Sequence, residues 1–187
     1  MTKSRIVTSA GALALIAVFA ATFLGGCANT YPRRDPTGEP FPRVIGSSLE
    51  GEEVVLPDVG SGDPLLLLVG YKQNSQFDID RWLIGLFQTG IQVKAYEVPT
   101  ISGMIPGMIS GTINRGMQRG IPSEDWGGVV TVYGDADKIA RFTGNADGLN
   151  GRILVLDGSG KVAFFHDQGF SVKSLQRMRE RLDQLGR

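Results

Sequence analysis

The sequence predicts one α/β domain built around a central, largely buried sheet. Three observations predict it. Leu65-Leu66-Leu67-Leu68-Val69 is a short unbroken apolar run between Pro64 and Gly70, and its length suits a strand covered on both faces. The period then switches: Ile79, Trp82, Leu83, Leu86 and Phe87 fall at helical spacing on one stripe. Near the C-terminus, Arg152-Ile153-Leu154-Val155-Leu156 and Lys161-Val162-Ala163-Phe164-Phe165 flank Asp157-Gly158-Ser159-Gly160, a hairpin signal.

The chain opens with Lys3 and Arg5, continues uncharged from Ile6 to Leu24, and reaches Leu24-Gly25-Gly26-Cys27. Charge, then an apolar core, then small residues is the layout of a secretory signal. Leu24-Gly25-Gly26-Cys27 resembles the lipobox of bacterial lipoproteins. That resemblance implies cleavage before Cys27, lipidation of its sulfur (palmitate among the acyl groups), and a place in the cell envelope facing the periplasm. Ala28 in place of Asp resembles the outer-membrane signal of Gram-negative lipoproteins. The competing reading is an uncleaved membrane helix, because about 19 apolar residues span a bilayer. Thr8, Ser9, Gly11 and Thr22 weaken it as a permanent anchor. The expected organisation is a signal peptide over 1–26, a lipidated tether over 27–43 and a folded domain over 44–187.

Residues 28–43 hold four prolines and several charges from Tyr31 to Pro42, a composition that favours an extended, solvated segment. About 15 residues at up to ~3.5 Å each reach roughly 50 Å. Val44 to Leu56 reads as a hairpin. After the apolar strand, Ser75 with Asp78 three residues on resembles a capping box, and Gly90 can end the helix. Ile91 to Val98 is the next strand. Ile105, Met108, Ile109, Thr112, Ile113 and Met117 form a weaker helical stripe, expected to be irregular because Pro106, Gly107, Gly111 and Gly116 puncture it. Val129 to Tyr133 is a strand, and Asp135 to Phe142 a short helix. After the C-terminal hairpin, Ser171 caps a helix with Val172, Leu175, Met178, Leu182 and Leu185 on one face.

Composition narrows the function. The chain carries 19 basic and 19 acidic residues. Lys3 and Arg5 are the only charges before Cys27, so the remainder has a formal net of −2, which gives no electrostatic case for nucleic-acid binding. The one cysteine is Cys27 and the one histidine is His166. Acylation of Cys27 would leave no free thiol, so thiol redox chemistry and Cys-based metal binding would be unavailable. No metal site and no cofactor are expected.

The element order, a hairpin followed by β-α-β-α-β-α-β-β-α, resembles the thioredoxin-like fold in its peroxiredoxin-type form. Gly46…Leu49-Glu50-Gly51…Val54-Val55-Leu56 is similar to that superfamily's opening, and Val155-Leu156-Asp157-Gly158-Ser159-Gly160-Lys161-Val162 to its penultimate hairpin. The resemblance covers residues 44 to 186. It implies a thioredoxin-like three-layer sandwich with an N-terminal β-hairpin extension. The family's reactive Cys lies in the loop after the first core strand, which here reads Tyr71-Lys72-Gln73-Asn74-Ser75-Gln76-Phe77. Its cis-Pro precedes the penultimate strand, which here reads Leu149-Asn150-Gly151-Arg152. Both redox essentials are absent, so no catalytic residue is carried over. A second similarity, around Gln73-Asn74-Ser75 and Trp82, is to thioredoxin-like assembly factors of the mitochondrial ATP synthase.

The candidate binding loop is Lys72, Gln73, Asn74 and Ser75, where backbone N–H groups at a helix start can hold an anion or a peptide carbonyl; the plainer reading is a capped, solvated turn. Ser75 is a weak nucleophile without an adjacent base. His166 and Asp167 are strand neighbours pointing to opposite faces, so no direct pairing is expected. Trp126 reads either as an exposed partner anchor or as a lid folded over the core. The expected function is a membrane-anchored envelope lipoprotein whose non-catalytic domain binds or helps assemble a protein partner. The alternative is an enzyme with non-thiol chemistry at the loop 71–77.

Overall fold

The computed structural model describes residues 29–60, 62–103 and 107–186. Cys27 and the apolar segment before it lie outside the described residues. Among the described residues there are seven strands: β1 (Val44–Ser48), β2 (Glu53–Leu56), β3 (Leu65–Gly70), β4 (Lys94–Pro99), β5 (Val130–Thr131), β6 (Arg152–Leu156) and β7 (Val162–His166). Four α-helices accompany them: α1 (Gln76–Thr89), α2 (Gly107–Gln118), α3 (Ala136–Thr143) and α4 (Val172–Leu185). The core sheet runs β4-β3-β6-β7, with β3 parallel to β4 and antiparallel to β6. A second sheet, β2-β1-β5, carries the N-terminal hairpin. Isolated parallel bridges, Glu97 to Val129 and Thr100 to Val132, join it to the β4 edge.

Strand periodicity divides β3 between two cores. Leu65, Leu67 and Val69 face one side with Val44, Val98, Ile139, Phe142 and Leu154. Leu66 and Leu68 face the other with Ile79, Trp82, Leu86, Ile153, Val155, Leu175 and Met178. Both faces are covered, α3 on one and α1 with α4 on the other. This is why the strand reads as a continuous apolar run, and it makes the three layers.

Several local expectations are corrected. The stripe on α1 is narrower than its sequence suggests. Ile79, Trp82 and Leu86 are buried, Leu83 lies at the margin, and Phe87 is 89% exposed. Ser75 forms no capping box; its backbone is helical and its side chain caps nothing. A 3₁₀ turn over Gln73–Ser75 feeds straight into α1, so Ser75 is already inside the helical path. The glycine-punctured segment forms a continuous helix of 12 residues, tied down by Tyr133, whose hydroxyl donates to Asn114 Oδ1 at 2.7 Å. Ser171 does cap α4, in a reciprocal box with Ser174, but Val172 beside it is exposed.

The largest departure concerns residues 29–43, which do not form a solvated spacer. They run along the domain as a strap. Gly38 N–H donates to Val162 O, Val162 N–H to Glu39 O and Phe41 N–H to Gly160 O, which covers the open edge of β7 near its start. Phe41 enters the core and packs edge-on against Phe142 at 5.6 Å. Farther up, the Arg33 guanidinium forks onto the buried Asp167 carboxylate at 2.6 and 2.8 Å. Tyr31 and Asn29 then tie to Asn145 and Asp137. Proline and charge content alone read as solvated because these partners are more than 100 residues away in sequence.

Candidate functional site

The end of β3, the loop to α1 and the loop before β6 meet at one end of the core sheet, because Val69 pairs with Arg152. The candidate residues Lys72, Gln73 and Asn74 lie exposed there, whereas Ser75 is buried. Ser75 Oγ donates to Lys72 O at 2.6 Å, and its backbone N–H donates to the same carbonyl at 2.9 Å. The hydroxyl points inward beneath Gly70, where an added Cβ would sit 2.8 Å from it. Its hydrogen-bond partner is a carbonyl rather than a base, so nothing activates it as a nucleophile.

Around this turn the structure assembles residues that sequence reasoning did not single out. Tyr71 donates to or accepts from Thr143 Oγ1 at 2.6 Å, and burial pushes its phenol well above the ordinary tyrosine range. The Arg152 guanidinium lies over the Tyr71 ring at 5.6 Å. Arg152 is 2% exposed. Its N–H groups donate to the carbonyls of Gly144, Asn150 and Asp147, which closes the loop 144–151 around it. A guanidinium carries five donors in a rigid fork, and here three backbone carbonyls share them.

Asp78, expected to pair with Ser75 in a capping box, instead joins three segments. It is buried, and its two oxygens accept from Gly151 N at 3.0 Å and Phe170 N at 2.6 Å. One carboxylate thus joins the start of α1, the loop before β6 and the turn into α4. The same end holds a cleft of about 290 Å³ lined by Arg33, Asp147, Asn150, Arg152, Asp167 and Gln168. The signal that could have found these residues was weak: a lone Arg opening a buried strand and an Asp one turn into an apolar helix.

His166 and Asp167 do not pair, as strand alternation predicts. His166 Nε2 meets Gly169 O at 2.8 Å, and its ring packs against Trp82 and Phe164, while Asp167 takes Arg33. Trp126 is half-buried, with its indole N–H on Ile121 O at 3.0 Å. Among the described residues, no cluster of three or more His, Cys, Asp or Glu has metal-site geometry, and no helix is long and apolar enough to cross a membrane.

This architecture is the thioredoxin-like fold. No family model and no curated protein matches the sequence. Solved structures do match in fold. The thiol peroxidase from Chromobacterium violaceum is similar at a TM-score of 0.53 and 11% identity, over 84% of this chain and 93% of that one. The thioredoxin domain of a thiol-disulfide oxidoreductase from Bacteroides vulgatus is similar at 0.50 and 14%, over 79% and 98%. BsSco, a member of the Sco family of cytochrome c oxidase assembly proteins, is similar at 0.54 and 12%, over 82% and 98%.

Proposed function

We propose that this protein is an envelope lipoprotein, anchored through acylated Cys27, whose thioredoxin-like domain binds or helps to assemble a protein partner without catalysing thiol exchange. The observation that carries the reading is the loop after β3. It is built as the fold builds its reactive loop, yet it holds no cysteine, and its two hydroxyls are both tied inward, Ser75 on the Lys72 carbonyl and Tyr71 on Thr143 Oγ1. The exposed part, Lys72-Gln73-Asn74, offers contact rather than chemistry. The partner is a protein of the same compartment, facing the periplasm, with the outer membrane favoured by Ala28 in a Gram-negative cell. Nucleic acid and cofactors have no part in it.

The test pairs two measurements on protein extracted from membranes. Intact mass reads whether the chain starts at Cys27 with acyl chains attached. Cross-linking from a photoreactive residue at position 73, followed by mass spectrometry, reads the partner. A recurrent envelope protein that is lost on Lys72→Glu supports the reading. Reproducible thiol–disulfide exchange by the purified protein overturns it, as does cross-linking that repeatedly recovers no protein.

A further inference from the structure

Three large apolar side chains stand exposed at the end of the sheet that carries the Lys72 loop: Phe77 at 70%, Leu149 at 53% and Val172 at 64%. They come from three separate segments. Phe77 lies in the first turn of α1, Leu149 in the loop before β6, and Val172 in the first turn of α4. The Asp78 carboxylate ties these segments together through Gly151 N and Phe170 N, each two residues from one of the apolar side chains. Asn150 Nδ2 adds a bond to Asp167 O at 3.4 Å. The three apolar groups are therefore held on a fixed base rather than on free loops. Scattered exposed apolar residues are ordinary, but three on segments tied to one carboxylate at one end of the sheet mark a surface that meets something apolar.

The strap indicates what it meets. Its upper part is anchored at this same end. Asn145 Nδ2 donates to Asn29 O at 3.0 Å, Asn145 and Ala146 N–H donate to Tyr31 O at 3.1 and 3.0 Å, and Tyr31 N–H donates to Asn145 Oδ1 at 2.7 Å. Only Ala28 separates Asn29 from Cys27. Two Cα steps span at most about 7 Å, comparable with the roughly 5–7 Å depth of one headgroup layer. A spacer of about 50 Å would have let the domain tumble. An acylated Cys27 would, through the docked strap, bring this end of the domain to the bilayer.

We infer that Phe77, Leu149 and Val172 form a lipid-facing crown, pressed into the headgroup region of the membrane in which Cys27 is anchored. The inference rests on the acylation of Cys27. Lys72, exposed on this end, meets the lipid phosphates, while the Arg33 charge there is already paired with Asp167; Asp147, also exposed there, points into a less favourable field. The Asp157–Gly160 turn lies at the far end of β6, about 14 Å away along the strand at ~3.4 Å per residue, and faces the periplasm. A partner of the Lys72 loop is then one that is itself embedded in the membrane.

The test uses the full-length acylated protein, in which a single added cysteine is the only free thiol. Leu149→Cys and Ser159→Cys are each labelled with bimane. Each is reconstituted in vesicles of phosphatidylethanolamine and phosphatidylglycerol with a nitroxide on the upper acyl chain. Quenching several-fold stronger at 149 than at 159 is expected, and Tyr31→Ala combined with Asn145→Ala brings the two closer together. Equal quenching, or stronger quenching at 159, overturns the inference when intact mass shows Cys27 acylated. If the mass shows an unmodified Cys27, the anchoring reading itself fails and takes the crown with it. Replacing Phe77 and Val172 together by Ser, both exposed and outside the core, is expected to weaken the quenching at 149; unchanged quenching also overturns the inference.

Discussion

Removing the Asp78 carboxylate tests how this end of the domain is held. Its oxygens accept from two backbone N–H groups, at 2.6 and 3.0 Å, on segments 73 and 92 residues away. Each hydrogen bond to a charged group is worth about 1.5–3 kcal/mol, and a buried donor left unpaired costs its desolvation. Asp78→Ala therefore loses about 3–5 kcal/mol. For a domain of this size each kcal/mol moves Tm by about 2–4 °C, so a fall of about 10 °C is expected. Asp78→Asn keeps one acceptor and turns an NH₂ toward the second N–H, so it loses a comparable share of that energy through one broken bond and one opposed donor pair. Asp80→Ala is the control, since Asp80 is exposed, accepts from Gln76 Nε2 at 2.9 Å and otherwise adds its charge near Glu97; it loses no more than about 0.5 kcal/mol. Urea and thermal unfolding followed by circular dichroism measure all three, with unchanged m-values as the check that the transition stays comparable. An Asp78→Ala variant within about 1 kcal/mol of the parent refutes the reasoning.

Four further outcomes are expected. Glu97→Gln raises Tm at pH 7 and gains nothing at pH 3. Burial, opposed by the Gln76 amide and reinforced by the Asp80 charge, raises the Glu97 pKa, so its ionised form costs the folded state as pH rises above the ordinary carboxylate value. Tyr31→Phe speeds amide exchange at Asn145 and Ala146, by up to about fivefold for a partly exposed contact worth ~1 kcal/mol. The Tyr31 hydroxyl, then Asn29 and Arg141, hold Asp137 below its usual range, so the strap's contribution is present at neutral pH and is lost as pH falls through that depressed value; the same two amides, followed by NMR during acidification, read it. Gly144→Ala lowers the unfolding free energy by about 1–3 kcal/mol, read as a lower urea midpoint at unchanged m-value, because φ is +74° there and an added Cβ would run into the Pro32 carbonyl.

The backbone of this fold was legible because its signals are local. An apolar run of strand length, a helical stripe and an Asp-Gly-Ser-Gly turn each act within a dozen residues. In that turn the Asp157 carboxylate accepts from Ser159 N and Lys161 N, as the composition predicts. The site was less legible. Lys72, Gln73 and Asn74 are exposed as expected, but the burial of Ser75 depends on a 3₁₀ turn that residue types do not announce.

What the sequence determined by itself is the order of most elements, the burial of β3 on both faces and the absence of any cysteine beyond Cys27. These follow from side-chain period and composition, which do not depend on distant partners. Only the tertiary structure decided that residues 29–43 are a strap, that Asp78 joins three segments and that Arg152 is wrapped in carbonyls. Each depends on polar groups finding partners far along the chain. A carboxylate or guanidinium reads as solvent-facing until the fold supplies the N–H or C=O that makes its burial affordable.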